Sequence, residues 1–107
     1  MKEIKNFEEF NAVQNQTKPV LLDFYADWCG PCRALLPTVE KLADKHSDDF
    51  IIQKVNVDRF PELAGQFGVR SIPALFVLKN GQIAESLVGY KSEVELENIL
   101  QGHLQAA

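Results

Sequence analysis

The segment Val20–Ala26, VLLDFYA, is apolar on both of its alternating faces. A strand of this kind has no side to give to water, so it must run through the middle of a sheet with helices packed above and below it. The flanking sequence supplies those helices. Asn6 and Glu9 have the spacing of a capping box, and Phe7, Phe10 and Val13 recur at helical intervals, predicting a helix from Phe7 to about Gln16. Lys2 to Lys5 reads weakly as a short strand before it. After the central strand, Pro31 fits the first turn of a helix whose apolar positions are Leu35, Leu36, Val39, Leu42 and Ala43, ending near His46. Pro37 lies inside that helix and should kink it.

The alternation continues. Phe50 to Val57 reads as a strand, and Asp58 is placed to cap a short helix carrying Pro61, Leu63, Ala64 and Phe67, with Gly68 as its stop. Ala74 to Leu78 is a fourth strand. Asn80-Gly81 is a strong hairpin signal, since a two-residue turn of this type needs positive φ at both positions, and Gln82 to Val88 is the return strand. Ser92 and Glu95 form a second capping box ahead of a last helix whose apolar face is Val94, Leu96, Ile99, Leu100 and Leu104. The order β-α-β-α-β-α-β-β-α predicts an α/β fold: a three-layer α/β/α sandwich around a mixed five-stranded sheet, closed by an antiparallel hairpin.

With 107 residues, the chain has the length of one domain, 1–107. Apolar residues at 46% and charged residues at 24% exclude a disordered tail or a low-complexity linker, and two cysteines exclude a disulfide-scaffolded miniprotein. A net charge of −4 argues against nucleic acid and anionic membrane as partners. The opening MKEIKNFEEF is charged and lacks the apolar core of a signal peptide, and no apolar run is long enough to cross a membrane. The expectation is a cytoplasmic protein, where a disulfide is more often transient and catalytic than structural.

Cys29 and Cys32 follow the central strand and open a helix, with Gly30 and Pro31 between them. At i and i+3 on a first helical turn they share a face, and their Cα atoms should stand near the ~5.5–6 Å that a disulfide requires. The loop they close is too small to restrain the unfolded chain much, which weakens a structural role. Cys29, at the positive end of the helix dipole with free backbone N–H groups, is favoured as a thiolate and hence as nucleophile; Cys32, one turn in and less exposed, is favoured as the resolving thiol. Two other readings stand beside this one: an inert structural pair, and a zinc site completed by His46 and His103, whose spacing matches no finger pattern.

At WCGPC, Trp28 to Cys32, the chain resembles the thioredoxin family. The likeness extends to DFYADWCGPCR (Asp23 to Arg33), Pro37, KVNVD (Lys54 to Asp58), FGVRSIPA (Phe67 to Ala74), KNG (Lys79 to Gly81) and VGY (Val88 to Tyr90). The resemblance implies the thioredoxin fold and a thiol–disulfide oxidoreductase that reduces protein disulfides and is recycled by an NADPH-dependent flavoprotein, thioredoxin reductase. It implies a redox disulfide between Cys29 and Cys32, and makes Asp23 the proton acceptor for Cys32. Asp23 shares a strand face with apolar Leu21 and Tyr25, so burial with a raised pKa is favoured over a solvated position. Lys54 matches a lysine that tunes that aspartate, against the plain alternative of a solvated strand lysine. Pro73 matches a cis proline, with Ile72 offering its backbone to an extended substrate; the alternative is a trans proline that opens a strand. Trp28, against the plain alternative of a core tryptophan, is expected to be partly exposed and to shield the thiol, and Gly30, Pro31, Ile72, Pro73, Val88 and Gly89 would complete a flat apolar docking patch.

Neither a cofactor nor a metal is expected on the chain, which has no phosphate-binding glycine loop, and the expected state is a monomer. Tyr25, Ser71, Ala74 and Tyr90 depart from common family residues, which bears on partner preference. Two further functions compete with the reductase: a non-catalytic binding module gripping one partner through the patch, and the same chemistry run in reverse as an oxidant or isomerase.

Overall fold

The computed structural model describes residues 1–104. Its elements are β1 (Lys2–Glu3), α1 (Phe7–Gln14), β2 (Val20–Tyr25), α2 (Gly30–Lys45), β3 (Ile51–Asn56), α3 (Pro61–Gln66), β4 (Ala74–Lys79), β5 (Gln82–Val88) and α4 (Glu93–Leu104). The strands form one sheet in the order β1-β3-β2-β4-β5. β1 and β2 run parallel to β3, while β4 lies antiparallel to both β2 and β5. β2 is therefore central, and its side chains divide by parity. Val20, Leu22 and Phe24 join Phe10, Val13 and Leu63 in a core under α1 and α3. Leu21 joins Leu35, Val39, Leu42, Leu96 and Leu100 in a second core under α2 and α4. The three layers expected from the sequence are present, and Asp23 and Tyr25 fall on the α2 side with Leu21.

Local chemistry sets the element ends. The Asn6 side chain accepts the Glu9 N–H at 2.8 Å, while the Glu9 carboxylate accepts from Lys5 N at 2.7 Å, one residue outside the expected reciprocal box. The Ser92–Glu95 box is complete: Glu95 N donates to Ser92 Oγ and Ser92 N to Glu95 Oε1. Asn80 and Gly81 both have positive φ, at 54° and 78°. A Cβ on Gly81 would stand 3.3 Å from the Gln14 carbonyl oxygen, so the hairpin tip packs directly against the end of α1.

Three expectations fail here. Asp58 does not cap α3: its N-cap is Phe60, without a side-chain bond. The N–H groups of Asp58 and Arg59 instead point to Asn56 Oδ1, and the Asp58 carboxylate is drawn elsewhere. Val94 is 68% exposed rather than part of the inner face of α4. It stands two residues before Leu96, about 200° round the helix from it. α1 stops at Gln14, two residues short of Gln16, at Asn15 as C-cap.

α4 is fixed from two sides. Glu97 accepts from His46, the C-cap of α2, and pairs with Lys45 at 2.8 Å; His103 lies 2.8 Å from Glu85 on β5. His46 thus reaches Glu97 on α4 and His103 reaches from α4 to Glu85 on β5, and among the described residues no group of three or more metal-ligating side chains converges.

Candidate active site

β2 and β3 are parallel and in register, so their C-terminal ends open at the same edge of the sheet. The segment leaving β2 carries Trp28 and Cys29; the segment leaving β3 carries Asp58. Cys29 is the N-cap of α2, and its Sγ accepts the Cys32 N–H at 3.2 Å. Cys29 and Cys32 are joined as a disulfide with Cα atoms 5.2 Å apart. Cys29 Sγ also lies 3.8 Å from the Ile72 carbonyl oxygen. The expected difference in exposure between the two sulfurs is almost absent, at 4% for Cys29 and 3% for Cys32. Their surroundings differ instead: Cys29 faces Ile72, whereas Cys32 lines a partly open cavity of about 180 Å³ shared with Asp23, Tyr25, Leu36 and Lys54.

Asp23 lies beneath that cavity and is 1% exposed. Neither of its carboxylate oxygens finds a hydrogen-bond partner among the described residues. Burial pushes its pKa up to about 7, against the opposing pull of Lys54. Lys54 is its register partner on β3, yet the ammonium sits 5.1 Å over the ring of Tyr25 rather than in contact with the carboxylate.

The Ile72–Pro73 bond is cis. Pro73 is buried, unlike the exposed Trp28, Gly30, Pro31 and Val88. Its carbonyl accepts the Gly89 N–H at 2.8 Å, joining the two loops that flank Cys29. Gly89 has φ 91° and no heavy atom within 4 Å of where a Cβ would stand, which leaves the surface open above it. Trp28 is 68% exposed and Val88 60%, Gly30 and Pro31 are exposed, and Ile72 is half-buried. Trp28 does not hang free: its Nε1 donates to Asp58 Oδ2 at 2.9 Å. Asp58 is the residue of this edge that the sequence analysis misassigned. The signal for it was its place just past the end of a strand parallel to β2. Tyr25, expected from the sequence as a same-face neighbour of Asp23 and as a departure from common family residues, also supplies the ring under Lys54.

The thioredoxin family profile matches residues 2–102. The chain belongs to the thioredoxin family. The thioredoxin of Alicyclobacillus acidocaldarius is 45% identical over 100 residues, 94% of this chain and 92% of that one. The thioredoxin of Bacillus subtilis is 39% identical over 101 residues, 94% of this chain and 97% of that one. Among solved structures, a mutant thioredoxin from Halobacterium salinarum superposes with a TM-score of 0.90 at 35% identity, covering 98% of this chain and 91% of that one. The thioredoxin of Malassezia sympodialis gives 0.88 at 32% identity, covering 97% and 90%. As a thioredoxin, the chain is a thiol–disulfide oxidoreductase that acts on disulfide substrates through its Cys29–Cys32 pair. No helix among the described residues is long and apolar enough to cross a membrane.

Proposed function

We propose that the chain acts as one domain, a monomer, in the cytoplasm, where it reduces disulfides of protein substrates with Cys29 as nucleophile and Cys32 as resolving thiol. The observation that supports this division of roles is the placement of the two sulfurs: Cys29 at the N-cap of α2 facing Ile72, Cys32 lining the Asp23 cavity. In the reduced protein the Cys29 thiolate is favoured by the helix N-terminus and by the Cys32 N–H. It attacks one substrate sulfur; the substrate disulfide breaks, a mixed disulfide forms, and the other substrate sulfur leaves as a thiolate. Asp23 takes the Cys32 proton through the cavity. The Cys32 thiolate attacks Cys29 Sγ, the mixed disulfide breaks, and the second substrate sulfur departs. Two protein thiols become one disulfide while one substrate disulfide becomes two thiols.

A carboxyl titrating near pH 7 is matched to this task, since it accepts and returns a proton at working pH. Lys54 tunes it. The substrate's extended backbone pairs beside Ile72 and cis-Pro73, over the apolar surface of Trp28, Gly30, Pro31, Val88 and Gly89. The oxidised protein is returned to the dithiol by an NADPH-dependent thioredoxin reductase. The Gly30-Pro31 pair and its likeness to reducing family members support the reductive direction. Insulin reduction coupled to dithiothreitol tests the roles. Cys29→Ser should abolish turnover, and Cys32→Ser should accumulate the mixed disulfide. Full turnover by Cys29→Ser would refute the assignment, and a reduction potential well above the cytosolic glutathione poise would overturn the direction.

A further inference from the structure

Lys54 and Asp23 are register partners on adjacent parallel strands and line one cavity, yet no contact joins the ammonium to the carboxylate. The attraction between a cation and an uncompensated buried carboxylate would ordinarily draw them together. What holds Lys54 off is visible. Its Nζ sits 5.1 Å above the centre of the Tyr25 ring, within the range of a cation–π contact. Tyr25 lies two residues after Asp23 on β2, on the same face, and is itself half-buried. We propose that Tyr25 is a positioning residue of the disulfide exchange: its ring holds the Lys54 ammonium out of contact with Asp23, leaving the carboxyl without a directly paired counter-charge so that it can carry the proton of Cys32.

The other groups around Asp23 do not duplicate this role. β4 presents Leu75 opposite it. α2 contributes Cys32, Leu36 and Arg33, and the guanidinium of Arg33 donates to the Asp27 carbonyl. Asp27, in the loop before α2, completes the charged lining of the cavity. Lys54 is thus the cation whose position on the β3 side is decided by a neighbouring side chain. The ring is a steady platform across the working range: burial first, and the adjacent Glu3 carboxylate next, push the Tyr25 hydroxyl up to about 12, so it stays neutral.

This inference rests on Asp23 as proton acceptor, and the two are separable. The carboxyl titration of Asp23 in the oxidised protein, followed by carbon-13 NMR, reads the position of Lys54 without any turnover. In Tyr25→Leu the ammonium is released toward Asp23, and the midpoint should fall by about one to three pH units, the effect of an opposite charge brought close. Tyr25→Phe keeps the ring and should leave the midpoint in place. In a Lys54→Met background, Tyr25→Leu should no longer move it. An unchanged midpoint in folded Tyr25→Leu overturns the proposal. So does a fall of equal size in the Lys54→Met background, which would mark water entry as the cause. If Tyr25→Leu does not fold, the Lys54 ε-methylene protons of the wild-type protein decide: they should be shifted upfield by the ring, and unshifted values overturn the parking. Asp23→Asn with an unaltered pH profile of turnover would instead sink the proton-acceptor reading and leave the NMR result standing.

Discussion

Asp23 places a buried ionisable group where no described residue bonds to it, and the consequence is a pH-dependent stability. In the folded oxidised protein the carboxyl holds its proton to about pH 7, whereas in the unfolded chain it releases it near 3.8. Between these values the folded state binds the extra proton. The contribution is therefore fully present below about pH 4, is lost as pH rises toward 7, and is flat above. Asp23→Asn removes the titration. Relative to wild type, the variant should gain about 4 kcal/mol between pH 4 and pH 8, from roughly three units of pKa at 1.36 kcal/mol each. Denaturant midpoints of the oxidised proteins at several pH values measure this, and a stability difference that does not change with pH would contradict it. The burial of Asp23 was legible in the sequence, because Leu21 and Tyr25 share its face. The seating of Lys54 over Tyr25 was not: alternation assigns both to the α2 side without saying where a four-carbon side chain comes to rest. Likewise, no local pattern joins Trp28 to Asp58, which are 30 residues apart and meet only because β2 and β3 end together.

At the scale of elements, the caps and turns were the most readable features because their chemistry is local. The Asn80-Gly81 turn shows this best. It is a two-residue hairpin whose positive φ values suit Asn and Gly, and its tip touches the Gln14 carbonyl at the end of α1. Gly81→Ala should cost about 1–2 kcal/mol, the penalty of a left-handed conformation for a residue with a Cβ, with the close approach to Gln14 adding to it. Thermal unfolding of the variant checks this, and an unchanged midpoint would show that the tip moves away freely. The misreadings at this scale share one cause. Asp58 has the composition of a cap, but its carboxylate is better used by an indole N–H from another element. Val94 has the composition of a core residue, but its angle on α4 sends it outward.

For the molecule as a whole, the alternation of strand and helix predicted the layers, and the apolar run of β2 predicted its central place. The lateral order β1-β3-β2-β4-β5 was less accessible, since periodicity reports which face is buried and not which strand lies alongside. The two apolar cores lie on opposite sides of the sheet but draw on alternate residues of the same strands β2, β3 and β4. Neither core can open without exposing the back of the other, so a single cooperative transition is expected for a chain of this size. Methyl NMR signals of Val55 and Val77, one from each core, should disappear at the same denaturant concentration as the helical circular dichroism. A separation of the two would mean that the layers melt independently.

Trp28 is the sole tryptophan of the chain, is anchored by Asp58, and directly precedes Cys29. A disulfide quenches indole emission at short range, and a dithiol quenches it less. The redox state of the site is therefore coupled to an optical signal from one fixed fluorophore, with no second emitter of its kind to blur it. Each turn of the exchange can be followed in the unlabelled protein, as a change in the brightness of the residue next to the bond being made and broken.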